Sequence, residues 1–177
     1  MITFWRDAGP GKWFSKDAAF DETIRTRFEA LHYRASRREL DGWRESAEGA
    51  LALLLLLDQF PRNLWRGSGH AFATDPLALS IAREAVRRGF DRSGPQDLRV
   101  FYYVPFEHSE QIEDQDRCVA LVEAWIAEGG DADFLRWVHI HRDILVRFGR
   151  FPHRNPMLGR ESTGEELAFL ASGGFAG

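Results

Sequence analysis

The chain has little cysteine, little lysine and no long apolar run, and each shortage excludes something. One of its 177 residues is cysteine, Cys118. No intramolecular disulfide can form, so nothing calls for an oxidising compartment. Cys118 sits in a helical pattern beside Val119 and Val122, where a packed, unreactive thiol is expected. Lys12 and Lys16 are the only lysines, and the net charge is −4. No broad basic face remains for nucleic acid, which is not expected as a partner. The longest apolar run, Ala50 to Leu57, falls far short of the roughly 20 residues of a spanning helix. The opening residues lack the basic and apolar regions of a signal peptide. A cytoplasmic protein without membrane contact is therefore expected. There is also no glycine-rich phosphate loop, dinucleotide fingerprint, Gly-x-Ser-x-Gly elbow or zinc-ligand spacing, so no cofactor and no metal site are expected.

What is present describes a globular chain. The composition is 44% hydrophobic and 28% charged, with six tryptophans. Its length suits one domain covering residues 1–177. The periodicities are helical throughout. Phe20, Ile24, Phe28 and Leu31 share one face of a helix from Asp17 to about Tyr33. Ser36-Arg37-Arg38-Glu39 has the spacing of a capping box. Ser46 to Phe60 reads as a helix that is apolar on every side, and Pro61 as its stop. Asp75-Pro76 gives a helix start, with Asp75 as the N-cap. Further helices are predicted over Pro95–Tyr103, Glu110–Glu128 and Asp131–Arg150, and a second capping box, Thr163 to Glu166, opens a last short one. No hairpin signal interrupts them. The fold class is all-α: antiparallel helices in a tetratricopeptide-like or irregular bundle.

Four features could carry chemistry. The first is an internal echo: Phe60-Pro61-Arg62-Asn63 and Phe151-Pro152-His153-Arg154-Asn155 each leave an apolar helix and present Arg and Asn. Such groups can tie a loop to helix ends or form two lips around an anion. The second is Glu107-His108 before a helix start, raw material for acid–base work. The acids around it, Glu110, Glu113, Asp114 and Asp116, also suit a first helical turn. The third is His141, which falls in an apolar stripe of Phe134, Trp137, Val138, Ile144, Leu145 and Phe148. It should be buried and must find a partner. His139 points about 200° away from it at 100° per residue, which argues against a metal pair. The fourth is charge segregation. Six arginines and three histidines but one acid, Asp143, lie between Arg136 and Arg160, against an acidic stretch from Glu107 to Asp116.

Taken in order, Asp58-Gln59-Phe60-Pro61-Arg62-Asn63, Ala73-Thr74-Asp75-Pro76-Leu77-Ala78, Pro105-Phe106-Glu107-His108-Ser109-Glu110 and His141-Arg142-Asp143-Ile144 through Asn155 resemble an uncharacterised, mainly bacterial family known as domain of unknown function 924. The resemblance covers nearly the whole chain. It implies an all-helical fold similar to the tetratricopeptide-like superfamily, and it supplies no reaction, cofactor or catalytic residue.

Three functional readings stay open on the residues. One is a binding domain for an anionic peptide or small metabolite, with Arg62, Arg150, His153 and Arg154 as cationic contacts and Asn63 and Asn155 orienting. Another is an enzyme on a small molecule, with Glu107, His108 and His141 moving protons and arginines stabilising negative charge. The last is a structural or interaction protein in which all these groups pair internally. The oligomeric state is not legible.

Overall fold

Pro61 does not end the leucine-rich helix. In the computed structural model, which describes residues Met1–Phe175, the chain widens ahead of Pro61 and continues past it. The order of elements is α1 (Ile2–Ala8), α2 (Pro10–Trp13), α3 (Ala18–Ser36), α4 (Ala47–Leu54), a π turn over Leu55–Gln59, α5 (Phe60–Leu64), α6 (Asp75–Arg87) and α7 (Phe90–Ser93). A 3₁₀ stretch over Gln96–Tyr102, α8 (Val104–Glu107), α9 (Ile112–Ala127), α10 (Asp133–Phe148) and α11 (Gly164–Ala171) complete it. Every regular element among the described residues is helical, and none of their helices is long and apolar enough to cross a membrane. The chain falls into two compact units, Met1–Pro105 and Phe106–Gly177.

In the first unit the π turn follows from the chemistry of proline. Pro61 has no N–H, so it can serve neither Leu57 as an α partner nor Leu56 as a π partner. The Phe60 N–H reaches Leu55 instead. Two buried carbonyls are thereby orphaned, and side chains take them. His32 donates from Nδ1 to Leu56 O (2.8 Å), and the Thr74 hydroxyl donates to Leu57 O (2.5 Å). Arg62 reaches the next carbonyl, Asp58 O, at 2.7 Å. The leucines from Leu53 to Leu57 are all at most 1% exposed. Each contributes roughly 1.5–3 kcal/mol by burial, so the widened turn is held by its surroundings. Aromatic rings complete the packing, with Trp5 against Phe60 (5.4 Å) and Phe101 (5.7 Å), and Phe28 against Phe60 (5.1 Å).

Other local expectations shift for equally local reasons. The buried face of α3 is Phe20, Ile24, Phe28, His32 and Ala35, with Leu31 only partly covered. Ser36 opens no helix; it is the last residue of α3, and its hydroxyl donates to Tyr33 O. The cap that forms is Ser46, whose hydroxyl accepts from Gly49 N–H. Gly49 is required there, since a Cβ would strike the Trp43 carbonyl. Thr74 takes the N-cap position expected of Asp75, and the Asp75 carboxylate receives both ends of the Arg62 guanidinium at 2.9 Å. The 3₁₀ stretch replaces the α-helix expected from Pro95 to Tyr103.

In the second unit a short connection folds α10 back on α9, and the two pack together. Val138, His141, Ile144 and Leu145 form the buried stripe of α10. Trp137, expected on that stripe, is 45% exposed. Gly149 ends α10 in a left-handed conformation (φ 69°), two residues ahead of Phe151. A core of Ile144, Leu145 and Phe151 draws in Ile112, Ile140, Phe148, Phe169 and Phe175.

The account of Pro61 makes a stability prediction. Thr74→Val leaves the Leu57 carbonyl buried and unpaired, and should lower the unfolding free energy by about 1–3 kcal/mol. In a Pro61→Ala background the restored amide can take that carbonyl, so the loss should be smaller. Urea unfolding of the four proteins of this cycle measures the difference; equal losses in both backgrounds would contradict the account.

Candidate functional site

Two carboxylates shape the loop that follows α10. Glu166 closes the capping box of α11, accepting from Thr163 N–H (2.7 Å) while its own N–H bonds to the Thr163 hydroxyl. The same carboxylate receives the Arg150 fork (2.6 and 2.8 Å) and the Asn155 amide (3.2 Å). The Arg150 guanidinium first, helped by the Thr163 amide and against the opposing pull of burial, holds the Glu166 carboxyl down at about 2. Glu110 does a parallel task. It accepts from Phe151 N–H (2.8 Å) and takes the Arg160 fork (2.6 and 3.0 Å). Burial alone would raise its pKa, but Arg160, the Phe151 amide and Arg154 together lower it.

These ties fix the loop that carries His153 and Arg154, and a third carboxylate, Glu107, holds His141 beside it. Gln115 fixes the backbone around Glu107, its amide donating to Glu107 O and Ser109 O at 2.7 Å each. His141 comes from the buried stripe of α10, with Nδ1 2.7 Å from Glu107 Oε1 and 2.9 Å from Trp137 O. Both neighbours are acceptors, so Nδ1 carries a proton in either charge state, and Nε2 is the atom that titrates. Burial pushes the His141 imidazole down, but the Glu107 carboxylate and the Trp137 carbonyl outweigh it, and its pKa stands above the ordinary 6.5.

His153 moves the other way. Burial first, then the charges of Arg154 and His141, push it down to about 3. It is therefore neutral across the physiological range. Its Nδ1 is buried without a hydrogen-bond partner among the described residues. The two imidazoles share ring neighbours: Phe151 lies 5.6 Å from His141 and 5.7 Å from His153. The His108 ring is 6.4 Å from that of His141, and its carbonyl accepts from Arg154 at 3.0 Å. Arg154 also stacks on Phe151, 4.5 Å from the ring centre.

Of the residues singled out from sequence, Glu107, His108, His141, His153 and Arg154 thus stand together. Arg150 and Asn155 are engaged with Glu166. Arg62 and Asn63 belong to the first unit. There Arg62 forks Asp75, and Asn63 donates to Asp21 at 2.8 Å beside a cavity of about 310 Å³. The echo between the two helix exits does not extend to the contacts of its arginines: Arg62 forks Asp75 in the first turn of α6, Arg154 donates to His108 O, and Arg150, ahead of the echoed stretch, forks Glu166 in the first turn of α11. Acids in those turns also favour the positive end of the helix dipole. His139 is exposed, facing away from His141. Cys118 is fully buried, and burial and the nearby Glu107 charge raise its pKa well above the usual value. Among the described residues no three His, Cys, Asp or Glu side chains are arranged to hold a metal ion.

Sequence reading passed over Gln115 and Glu166 as partners of the site. Glu166 was visible as a capping residue; nothing along the chain connected it with Arg150.

Comparison with known proteins adds a family but no reaction. The chain matches the family described as bacterial protein of unknown function (DUF924) over residues 1–174. No curated protein matches it. It is similar to the solved structure of a protein of unknown function from Agrobacterium tumefaciens, at 53% identity and a TM-score of 0.91, over 97% of this chain and 94% of that one.

Glu166 and His141 give separate pH predictions. Glu166 has a folded pKa of about 2 against an ordinary 4.5, so its stabilisation is fully present above pH 4.5 and is lost as pH falls towards 2. Glu166→Gln should be less stable than wild type at pH 6, with the gap closing between those values in urea titrations; a pH-independent gap would contradict the charge pairing. His141 has a raised pKa, so its contribution is present below 6.5 and fades as pH rises through the folded value. Without its carboxylate, burial prevails. Imidazole NMR titration should therefore place His141 above 6.5 in wild type and below it in Glu107→Gln, and an unmoved pKa would remove Glu107 as the cause.

Proposed function

Starting from a chain that belongs to the bacterial family DUF924, for which no function is described, we propose that the second unit holds an acid–base site for a small molecule bearing an anionic group. One arrangement carries this reading: His141 is bonded through Nδ1 to Glu107 at 2.7 Å, while the nearby His153 is buried with no partner for Nδ1 among the described residues, so the two imidazoles are pushed in opposite directions. Environments that drive paired groups apart are how a protein separates an acid from a base at one pH. His141, oriented through Nδ1 by Glu107, offers a proton at Nε2. No hydrogen bond within the described residues uses that atom. Neutral His153 adds a hydrogen-bonding nitrogen without a second charge. Arg154 supplies fixed positive charge for the anion, felt by both imidazoles. Glu107 is a positioning residue here. His108, partly exposed, lines the approach.

The internally paired groups narrow the reading. Arg62, Asn63, Arg150 and Asn155 are already bonded to carboxylates, so they serve as ties rather than ligand contacts. A cytoplasmic enzyme on a small metabolite fits this arrangement better than a peptide-binding groove, because a single arginine, Arg154, acts on both imidazoles.

Inorganic phosphate is a sufficient probe. Titrated into protein labelled with ¹⁵N-histidine at pH 7, it should give saturable shifts at the His141 and His153 rings and none at His139. Losing one charge-assisted contact is worth about 1.5–3 kcal/mol, so Arg154→Ala should weaken binding at least about tenfold, and Arg154→Lys should recover part of it. The same response in wild type and Arg154→Ala, or no response at either ring, would overturn the proposal.

A further inference from the structure

The two site imidazoles are covered by two phenylalanines that are held in different ways. Phe151 is wholly buried, and its backbone is fixed at both ends. Its N–H goes to Glu110 (2.8 Å), and its carbonyl accepts from Arg160 (3.2 Å). Phe175 stands beyond the end of α11. Gly173 turns the chain there with φ +83°, and Gly174 passes so close to Phe169 that a Cβ would overlap its ring and carbonyl. The last backbone bond of this segment runs from Gly174 N–H to Phe169 O (3.0 Å). Within the described residues Phe175 has no hydrogen bond of its own and is held by its ring, which is only partly buried.

That ring sits on both imidazoles. Its centre is 4.5 Å from His141 with planes at 63°, and 5.4 Å from His153 with planes at 81°. Edge-to-face contacts of this kind suit an aromatic ring specifically, and protonated His141 strengthens the contact as a cation beside a π face. The slot therefore already contains a group of the shape and polarity it accepts. The two nitrogens that no hydrogen bond within the described residues uses, His141 Nε2 and His153 Nδ1, belong to the rings on which Phe175 rests.

Resting on the acid–base reading above, we propose that the slot is a subsite for an aromatic ring carrying an anionic group, and that Phe175 occupies it in the unliganded chain. An arylcarboxylate or aryl phosphate would place its ring against His141 and His153 and its charge towards Arg154. Phe175 must leave as that ring enters. Apparent affinity is then reduced by the fraction of molecules in which Phe175 is displaced.

The test compares benzoate, cyclohexanecarboxylate and acetate on wild type and Phe175→Ala, read at the His141 and His153 ring resonances. All three carry one carboxylate, and only benzoate has a π face. Benzoate should bind Phe175→Ala at least about fivefold more tightly than it binds wild type. In Phe175→Ala it should also bind at least about fivefold more tightly than acetate or cyclohexanecarboxylate. Where Phe175→Ala unfolds, Phe175→Leu, which keeps apolar bulk and loses the ring, carries the same comparison. Equal affinities for benzoate and cyclohexanecarboxylate, or for the variant and wild type, overturn the aromatic subsite while phosphate binding at Arg154 still stands. If neither phosphate nor any carboxylate reaches the two rings in either protein, the acid–base reading falls and this proposal goes with it.

Discussion

A buried carboxylate must be met by donors from several directions, and in the second unit Glu166 meets that demand with groups from three segments. Its oxygens take Thr163 N–H from its own helix start, the guanidinium of Arg150 from the exit of α10, and the amide of Asn155 from the far side of the intervening loop. Remove the charge and the loop from Gly149 to Asn155 loses the point around which it turns. His153 and Arg154 lie inside that loop, so their approach to His141 depends on a residue that touches neither of them. Glu110 secures the same loop at Phe151. The site is thus assembled by ion pairs bonded outside it, of which Glu110 also acts on His153 and Arg154. Leaving one partner of such a buried pair unmatched is far more damaging than the pair is stabilising.

The same rule operates in the first unit with carbonyls in place of carboxylates. Pro61 withdraws one N–H from the middle of a buried helix, and the helix answers by widening and by recruiting His32 and Thr74 from two other segments. A π turn often marks a functional position, but every orphaned carbonyl here finds a partner and the leucines around it are closed to solvent. The turn serves to join α3, α4 and the start of α6.

Periodicity made the helical class, the apolar run of α4 and the burial of His141 readable, because each depends on residues within a few turns of one another. The Thr163–Glu166 capping box was readable for the same reason. What failed to be readable was pairing across distance. Nothing along the chain ties His32 to Leu56, whose carbonyl loses its backbone partner at Pro61. Ser36 and Glu39 had capping-box spacing, yet α3 ran through Ser36, and the carboxylate of Glu39 went to Arg34 and Arg37. Trp137 satisfied the stripe on α10 but projects beyond the packed surface. The echoed Arg-Asn exits pointed to anion recognition by residue type alone; only tertiary contacts could say that Arg62, Asn63 and Asn155 each already meet an acid. Glu107 and His141 lie far apart along the chain, and their contact required the return of α10 along α9.

The contrast between those engaged groups and the two histidines is the strongest physical ground for separating a site from a clasp. A clasp is complete when its donors and acceptors are matched, as at Glu166 and at Asp75. An orphaned polar atom away from water costs about 1–3 kcal/mol. His153 carries one at Nδ1, in a position where burial and two neighbouring cations forbid its own charge. An apolar ring of similar size would pack there without that penalty. The penalty is explicable if a ligand group arrives to meet the nitrogen. His153 Nδ1 is then a neutral acceptor beside His141, and its cost falls on the unliganded fold alone.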